Sequence, residues 1–271
     1  MQSRFISYKN SSIHYCLFGT GKKLLFCFHG YGEDATGFAC LAQGLGTDYT
    51  LVAIDMPFHG QTQWKEGFAL QPCVLVNIMI AVSREILQGP MDKITLLGYS
   101  MGGRVVLQLL QEMPQHVTRA VLVAPDGLHK NPWYFFSTQT ALGNRVFKRT
   151  MYNAGWLLWL LKVGGKYKLA HPSIIKVAHY YLDNKAERIK LYERWTTMRR
   201  FKPKIFQIKQ LVRQNNIALR FLFGKYDNII LSKRSNVFKD DTNNVQVTVI
   251  NAGHRLMQAK YAGEIIKLFY Q

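Results

Sequence analysis

The sequence predicts an α/β fold in which a mostly parallel sheet carries helices on both faces and is interrupted by a helical segment. Short apolar runs alternate with helical patterns through the first 126 residues, which is the order that strand–helix–strand units produce. The runs are apolar throughout, as expected of parallel strands covered on both faces. The alternation stops after Gly127 and resumes at Ile217.

Six apolar runs are the predicted strands, at residues 23–29, 50–55, 93–97, 120–124, 217–223 and 245–250. Helical patterns occupy 71–87, 101–110, 183–200 and 255–270, and a further helical stretch begins at Asp34. Pro72 suits the first turn of its helix, because a proline at that position removes no helical hydrogen bond. Between 127 and 210 the pattern predicts several helices and no strand.

The composition, 48% hydrophobic and 19% charged, is typical of a globular protein, and 271 residues can form one large α/β domain. The first 15 residues lack the apolar core of about 7–15 residues that a signal peptide needs, so we expect none. Cys16, Cys27, Cys40 and Cys73 form no CxxC pair, which argues against a disulfide framework and a zinc site. These observations predict a cytoplasmic protein.

The positive charge is concentrated in one part of the chain. The formal net charge is +19, and segment 127–210 contains 17 Lys and Arg residues against 3 Asp and Glu. Four of the five tryptophans (Trp133, Trp156, Trp159 and Trp195) lie in the same segment. The chain therefore combines an ordinary α/β body with a basic, aromatic-rich insertion.

A serine among glycines stands where a predicted strand turns into a helix. Gly98-Tyr99-Ser100-Met101-Gly102-Gly103 follows the strand at 93–97 and opens the helix at 101–110. Glycines allow strand and helix to approach closely, and such a turn holds the serine hydroxyl out at the carboxyl end of the strand. The first N–H groups of the helix point toward whatever lies beside that hydroxyl. This arrangement suits a nucleophile.

Together with four further loops in the same order along the chain, this turn resembles the nucleophile elbow of the α/β-hydrolase family. The loops are His29-Gly30-Tyr31-Gly32, Asp55-Met56-Pro57-Phe58-His59-Gly60-Gln61-Thr62, Gly224-Lys225-Tyr226-Asp227 and Ala252-Gly253-His254. They are similar to the family's oxyanion loop, its D-x-x-G-H-G-x-S loop, its acid turn and its histidine turn. Phe58 and Thr62 depart from the family's usual Gly and Ser. The resemblance spans most of the chain.

The resemblance implies an eight-stranded, mostly parallel α/β-hydrolase sheet with a helical lid. The core would comprise 1–126 and 211–271, and the basic segment 127–210 falls where the family inserts its lid. The resemblance also implies a catalytic set of Ser100 as nucleophile, His254 as base and Asp227 as orienting acid. The backbone N–H groups of Tyr31 and Met101 would form the oxyanion hole.

Two assignments have rivals in the sequence. Asp126 lies at the end of an earlier core strand, where some members of the family carry their acid. Alternatively, Asp126 is a turn or N-cap residue. His29 and His59 occupy loops where the family usually has a structural histidine. His171 and His179 lie in the expected lid as pocket or surface residues.

The expected chemistry is hydrolysis of a carboxylic ester or thioester through an acyl-enzyme on Ser100, with no metal or organic cofactor. Two alternatives stay open: a non-catalytic protein that binds a ligand or partner in the same pocket, and a carbon–carbon bond hydrolase on the same scaffold. A complete Ser, Asp and His set favours the enzyme, since a binding protein needs none of them.

The basic insertion has several interpretations. It could attract an anionic carrier or substrate, or hold the chain peripherally at an anionic membrane through residues 156–161, WLLWLL, which are flanked by Lys162, Lys166 and Lys168. That run is far too short to span a bilayer. No motif supports nucleic-acid binding, and a solvated basic face is the remaining possibility.

Overall fold

The computed structural model describes residues 1–166, 183–238 and 244–271. The chain divides into two compact units. The first unit comprises Met1–Glu66, Gln71–His129 and Arg200–Gln271, and the second unit comprises Gly67–Leu70 and Lys130–Arg199. Lys168, His171 and His179, which the sequence analysis singled out, lie outside the described residues.

The first unit is built on an eight-stranded sheet in the order β1-β2-β4-β3-β5-β6-β7-β8. The strands are β1 (Gln2–Tyr8), β2 (Ser11–Phe18), β3 (Lys23–Phe28), β4 (Tyr49–Ile54), β5 (Ile94–Tyr99), β6 (Val117–Val123), β7 (Ala218–Gly224) and β8 (Val245–Ile250). Strands β3 to β8 are parallel, whereas β2 pairs antiparallel with both β1 and β4. The predicted mostly parallel eight-stranded sheet is confirmed.

The central strands are buried on both faces, which explains their unbroken apolar sequences. Every residue of β5 is buried, and so is all of β3 after Lys23. At the sheet edge, β8 contains only exposed and half-buried residues. The register pairs Phe28 of β3 with Gly98 of β5. The carboxyl ends of these strands, and the loops that follow them, therefore lie at the same edge of the sheet.

The first unit also contains helices that pack on this sheet, and the second unit is helical. They are α1 (Ala42–Leu45), α2 (Pro72–Leu87), α3 (Met101–Glu112), α4 (Pro132–Gln139), α5 (Ala141–Tyr152), α6 (Gly155–Lys166), α7 (Lys185–Thr197), α8 (Ile205–Gln214) and α9 (Ala262–Lys267), with 3₁₀ turns at Ala35–Leu41, Pro114–His116, Met198–Arg200, Ser232–Phe238 and Ala259–Tyr261. The predicted helix 255–270 begins too early, because hydrogen bonds from Leu256 N to His254 O and from Gln258 N to Leu256 O hold a tight non-helical turn there.

The second unit has a small core of its own. Met151 and Tyr192 are its buried centre, and Phe68, Phe147, Leu157, Leu158 and Leu191 pack against them. Helix α5 contacts α4, α6 and α7. Asn131, Thr140 and Asn184 cap α4, α5 and α7, since each side chain accepts a hydrogen bond from a backbone N–H in the first turn. No helix in the described part of the chain is long and apolar enough to cross a membrane.

The boundary of the second unit differs from the expected insertion 127–210. The unit ends at Arg199, and the following stretch belongs to the first unit. There, Lys202 N donates to Gln108 Oε1 at 2.9 Å and Lys204 N donates to Gln111 Oε1 at 2.8 Å. These bonds tie the segment leading into α8 to helix α3. These bonds could not be predicted from the sequence, because both acceptors are glutamines on a regular helix.

Candidate active site

Ser100 lies at the sharp turn between β5 and α3, in a backbone conformation that L-residues rarely adopt (φ 50°, ψ −112°). Its carbonyl oxygen accepts hydrogen bonds from Gly103 N and Asp126 N, and its own N–H donates to Val123 O, each at 2.9 Å. The surrounding backbone thus imposes the strained conformation. A Cβ atom on Gly98 would collide with the Gly102 carbonyl group, and one on Gly102 with the Phe28 carbonyl group. Glycine is therefore required at both positions.

Three side chains from distant parts of the first unit form one chain of hydrogen bonds. Ser100 Oγ lies 3.1 Å from His254 Nε2, and His254 Nδ1 lies 2.7 Å from Asp227 Oδ2. The Asp227 side chain is fully buried, while 17% of the His254 side chain is exposed. The other carboxylate oxygen of Asp227 accepts from Ile229 N and Ile230 N, both at 2.8 Å. These bonds fix the carboxylate against the imidazole.

The turns after β7 and β8 bring Asp227 and His254 to this position. Tyr226 N donates to Ala252 O at 2.9 Å, and Lys225 N donates to Ile250 O at 2.8 Å. Gly224 lies so close to the Ala252 and Gly253 carbonyl groups that a Cβ atom would collide with both. The acid turn and the histidine turn are therefore packed on one another at the carboxyl edge of the sheet.

The loop after β3 is held in place by His29. Its Nε2 accepts from Met56 N at 3.1 Å, so its Nδ1 carries the hydrogen and donates to Gly30 O at 2.8 Å. This makes His29 a buried structural link between the loops after β3 and β4. Tyr31 follows in the same loop. Met101 is the first residue of α3, so its N–H group has no acceptor within the helix. Their oxyanion role stays a prediction.

Asp126, the alternative candidate for the orienting acid, makes its hydrogen bonds with other groups. Its Oδ2 lies 2.6 Å from an Arg104 guanidinium nitrogen, and its Oδ1 accepts from Gly127 N at 2.7 Å. The carboxylate therefore serves an ion pair and the turn that leaves β6. The structure brings Asp227, and not Asp126, into hydrogen bonding with His254.

Two residues near His254 were not identified from the sequence. The Tyr99 hydroxyl donates to His254 O at 3.2 Å, and its ring centre lies 5.8 Å from that of the imidazole. Burial raises the pKa of Tyr99, so it is a neutral donor at physiological pH. Burial also raises the pKa of Glu33, whose carboxylate interacts electrostatically with His254. A lone glutamate after a glycine-rich loop carries no recognisable signal.

A second hydrogen-bonded Ser, His and Asp series lies across β1, β2 and the loop after β4. Ser3 Oγ lies 2.8 Å from His14 Nε2, and His14 Nδ1 lies 2.7 Å from Asp55 Oδ2. Asp55 also accepts from Ala35 N at 2.6 Å and Gln61 N at 2.8 Å. The carboxylate therefore joins two segments of backbone and the His14 side chain. Ser3 lies within a regular strand and not at a helix N-terminus.

Within the described residues, no group of three or more His, Cys, Asp or Glu side chains could hold a metal ion. The three hydrogen-bonded side chains supply a hydroxyl, an imidazole and a carboxylate. A serine hydroxyl next to a neutral imidazole can transfer its proton as it attacks a carbonyl carbon, and a buried carboxylate can stabilise the resulting imidazolium.

Comparisons with known proteins agree with this architecture. A model of the α/β hydrolase fold family matches residues 23–171. The chain is 25% identical over 239 residues to the uncharacterized hydrolase YugF of Bacillus subtilis (strain 168), covering 86% of this chain and 84% of that protein. Over 106 residues it is 29% identical to the pimeloyl-[acyl-carrier protein] methyl ester esterase of Citrobacter koseri, covering 39% of this chain and 38% of the esterase.

Solved structures show the same fold. A thermophilic esterase from Thermogutta terrifontis superposes with a TM-score of 0.69 at 16% identity, covering 100% of this chain and 97% of that one. Similarity at this level of identity concerns the fold alone. Because the family model spans more than half of the sequence and the sheet has the predicted topology, this chain belongs to the α/β hydrolase fold family.

Proposed function

We propose that this protein is a serine hydrolase that cleaves a carboxylic ester or thioester through an acyl-enzyme on Ser100. The observation that carries the proposal is the hydrogen-bonded series from Ser100 Oγ to His254 Nε2, 3.1 Å, and from His254 Nδ1 to Asp227 Oδ2, 2.7 Å. A hydroxyl is a weak nucleophile near neutral pH unless a base takes its proton during attack. This geometry supplies that base.

In the first half of the reaction, Ser100 Oγ attacks the carbonyl carbon while His254 Nε2 takes the hydroxyl proton. The imidazolium then gives this proton to the departing alcohol or thiol as the carbonyl–heteroatom bond breaks, which leaves an ester on Ser100. In the second half, His254 takes a proton from water, the hydroxide attacks the acyl-enzyme, and the proton returns to Ser100 as the acid is released. Asp227 orients the imidazole throughout.

The negative charge that develops on the carbonyl oxygen needs fixed donors. Met101 N–H, at the start of α3, and Tyr31 N–H, in the loop that His29 holds, are the donors we assign to it. Donors aimed at the tetrahedral intermediate lower the barrier because they need no rearrangement as the charge forms. The donors are main-chain atoms, so we expect the side chains at 31 and 101 to influence substrate choice more than catalysis.

One relative supports an ester as substrate, since the Citrobacter koseri protein that matches 39% of this chain is named as a methyl ester esterase. A carbon–carbon bond hydrolase would use the same three side chains, and a panel of esters, thioesters and β-diketones of varied chain length separates these activities. A ligand-binding protein without catalysis would turn over none of them.

The test is hydrolysis of p-nitrophenyl acetate and butyrate by the wild type, Ser100→Ala and Ser3→Ala. Ser3 is the matched control, since it also contacts a histidine that is paired with an aspartate. We expect Ser100→Ala to lose at least about a thousandfold in kcat and Ser3→Ala to retain wild-type activity. A fluorophosphonate should label Ser100 alone. Equal rates for wild type and Ser100→Ala, or labelling of Ser3 instead, would remove Ser100 from the mechanism.

A further inference from the structure

The second unit exposes an unusual number of large apolar side chains on three consecutive helices. They are Trp133, Phe135 and Phe136 on α4, Leu142, Val146 and Tyr152 on α5, and Trp156, Trp159 and Leu160 on α6. Trp133 is 76% exposed and Trp159 is 62% exposed. Single exposed apolar residues are ordinary, but their concentration within residues 133–160 indicates a surface that is covered by something else.

Helix α6 shows most clearly that these side chains are not a core. Leu157 and Leu158 already pack against the Met151 and Tyr192 cluster of the second unit. Trp156, Trp159 and Leu160 have the i, i+3, i+4 spacing of one helical face, and that face is exposed. Since the inward side of the helix is already packed, this second apolar face stays exposed within the described part of the unit.

The charges on the same helices have a single sign. Residues 132–166, which these three helices span, contain five Lys and Arg residues and no Asp or Glu. On α5, Arg145, Lys148 and Arg149 are exposed beside Leu142 and Val146. The spacing of Leu142, Arg145, Val146 and Arg149 puts apolar and cationic side chains on one face of that helix. A face of this kind fits a partner that offers both apolar groups and negative charge.

We propose that helices α4, α5 and α6 of the second unit bind the surface of an anionic lipid bilayer. The aromatic rings and leucines would enter the boundary between headgroups and acyl chains, and the guanidinium and ammonium groups would contact lipid phosphates. This binding is peripheral, and it requires no property of Ser100 or His254. It therefore stands independently of the proposed hydrolase activity.

Two other occupants fit the surface less well. A second copy of the chain would bring two faces without acidic residues together, and like charges would repel where nothing neutralises them. A single-stranded nucleic acid would satisfy the cations and stack on the tryptophans. It would leave the aliphatic groups of Leu142, Val146 and Leu160 without an apolar partner. A bilayer with anionic headgroups satisfies all three kinds of side chain.

The test measures partitioning of the full chain onto vesicles by sedimentation, at 50 and 300 mM NaCl. The vesicles are phosphatidylcholine alone and phosphatidylcholine with 30% phosphatidylglycerol. We expect binding to the anionic vesicles, about tenfold or more stronger than to the neutral ones, which weakens at the higher salt concentration. Tryptophan emission should shift to the blue on binding, since Trp133, Trp156 and Trp159 leave water.

Three variants locate the surface. Trp133→Ala/Trp159→Ala removes two exposed rings, and Arg145→Gln/Lys148→Gln/Arg149→Gln removes three charges from α5. The matched control, Lys22→Gln/Lys65→Gln/Lys233→Gln, removes three exposed charges from the first unit. The first two should each lower partitioning about tenfold or more, and the control should change it less than twofold. Thermal unfolding should leave all three variants close to the wild type.

Several results would overturn the proposal. Equal losses from the two charge variants would mean that vesicles sense only the overall positive charge. Equal binding to neutral and anionic vesicles would exclude recognition of headgroup charge. A dimer of the wild type that dissociates in Trp133→Ala/Trp159→Ala would assign the surface to a second copy of the chain. Oligonucleotide binding that needs these tryptophans, together with vesicle binding that does not, would assign it to nucleic acid.

Discussion

The residues of the candidate site differ in how strictly the surrounding structure constrains them. Asp227 is fixed by two backbone N–H groups and the imidazole, so its side chain has one available position. Ser100 is fixed by its own backbone, whose three hydrogen bonds hold it at a positive φ. Glu33 is constrained differently, because it is a half-buried carboxyl group whose burial opposes its ionisation. Each of these constraints leads to a different measurable effect.

Substitution of Asp227 tests which carboxylate orients the base. Asp227→Asn keeps the shape of the side chain but offers an N–H to the imidazole, so His254 is held in the wrong tautomer. We expect kcat for p-nitrophenyl butyrate to fall about a thousandfold or more. Asp126→Asn is the matched control, because Asp126 pairs with Arg104, and we expect a change of less than about threefold. The opposite ranking of the two variants would assign the acid to Asp126.

Glu33 should make the protein less stable as the pH rises. Burial raises the pKa of Glu33 above its usual 4.5, so the folded state binds the proton more tightly than the unfolded state. The free energy of unfolding therefore falls as the pH rises from about 4.5 through the raised value. Glu33→Gln removes this effect. Its Tm should exceed that of the wild type at pH 7, and the gap should close below pH 4.5; a gap that widens in acid would contradict the assignment.

At the scale of elements, the strands were easier to predict than the turns and helix ends. The predicted strand 245–250 coincides with β8. The buried runs of β3 and β5 are close to their predictions, because burial on both faces leaves an unbroken apolar sequence. The start of α9 was misplaced, since hydrogen bonds around Leu256 override a helical pattern. Strands β1 and β2 were not located in the sequence, and the family resemblance implied only a total of eight strands. Strand β1 lies at the sheet edge and consists of exposed and half-buried residues, so it has no apolar run.

Part of the candidate site could be predicted because its turns restrict which residues fit. The glycine turns around Ser100 and Asp227 are visible in the sequence because close backbone approach excludes other residues. Glu33 and the His14–Asp55 pair are not visible, since their effect depends on contacts between segments far apart in the chain. Local steric requirements leave a sequence pattern, whereas contacts between single polar residues far apart in the chain leave none.

The junction of β5 and α3 provides a test at this scale. On Gly102, a Cβ atom would collide with the Phe28 carbonyl group, and backbone cannot move aside as a flexible side chain can. We expect Gly102→Ala to lower the free energy of unfolding by about 3 kcal/mol and to abolish activity. Gly263→Ala, in α9, is the control, because a Cβ there meets no atom within 4 Å.

Gly263→Ala should raise the free energy of unfolding slightly, by about 0.5–1 kcal/mol, since alanine restricts the unfolded chain more than glycine does. Both variants are compared with the wild type by urea unfolding followed by circular dichroism. If the two substitutions had the same effect on stability, the close approach of α3 to β3 would not be what requires Gly102.

At the scale of the whole molecule, the main feature is the excess of positive over negative charge. The chain has 35 Lys and Arg residues against 16 Asp and Glu, a formal net charge of +19. The described ion pairs are few, and exposed pairs such as Lys190–Glu187 and Lys267–Glu264 contribute little. Much of the positive charge must therefore be balanced by ions from solution, and its repulsion opposes the compact state.

Stability should consequently rise with ionic strength. Raising NaCl from 10 to 300 mM shortens the screening length several-fold and weakens the repulsion among the cations more than it weakens the few exposed ion pairs. We expect the Tm to increase by about 2–4 °C, which corresponds to roughly 1 kcal/mol for a protein of this size. The variant Arg145→Gln/Lys148→Gln/Arg149→Gln should respond less to salt, because it has less repulsion to screen. A Tm that falls over this range would mean that attractive pairs, rather than the excess of positive charge, control the electrostatic part of stability.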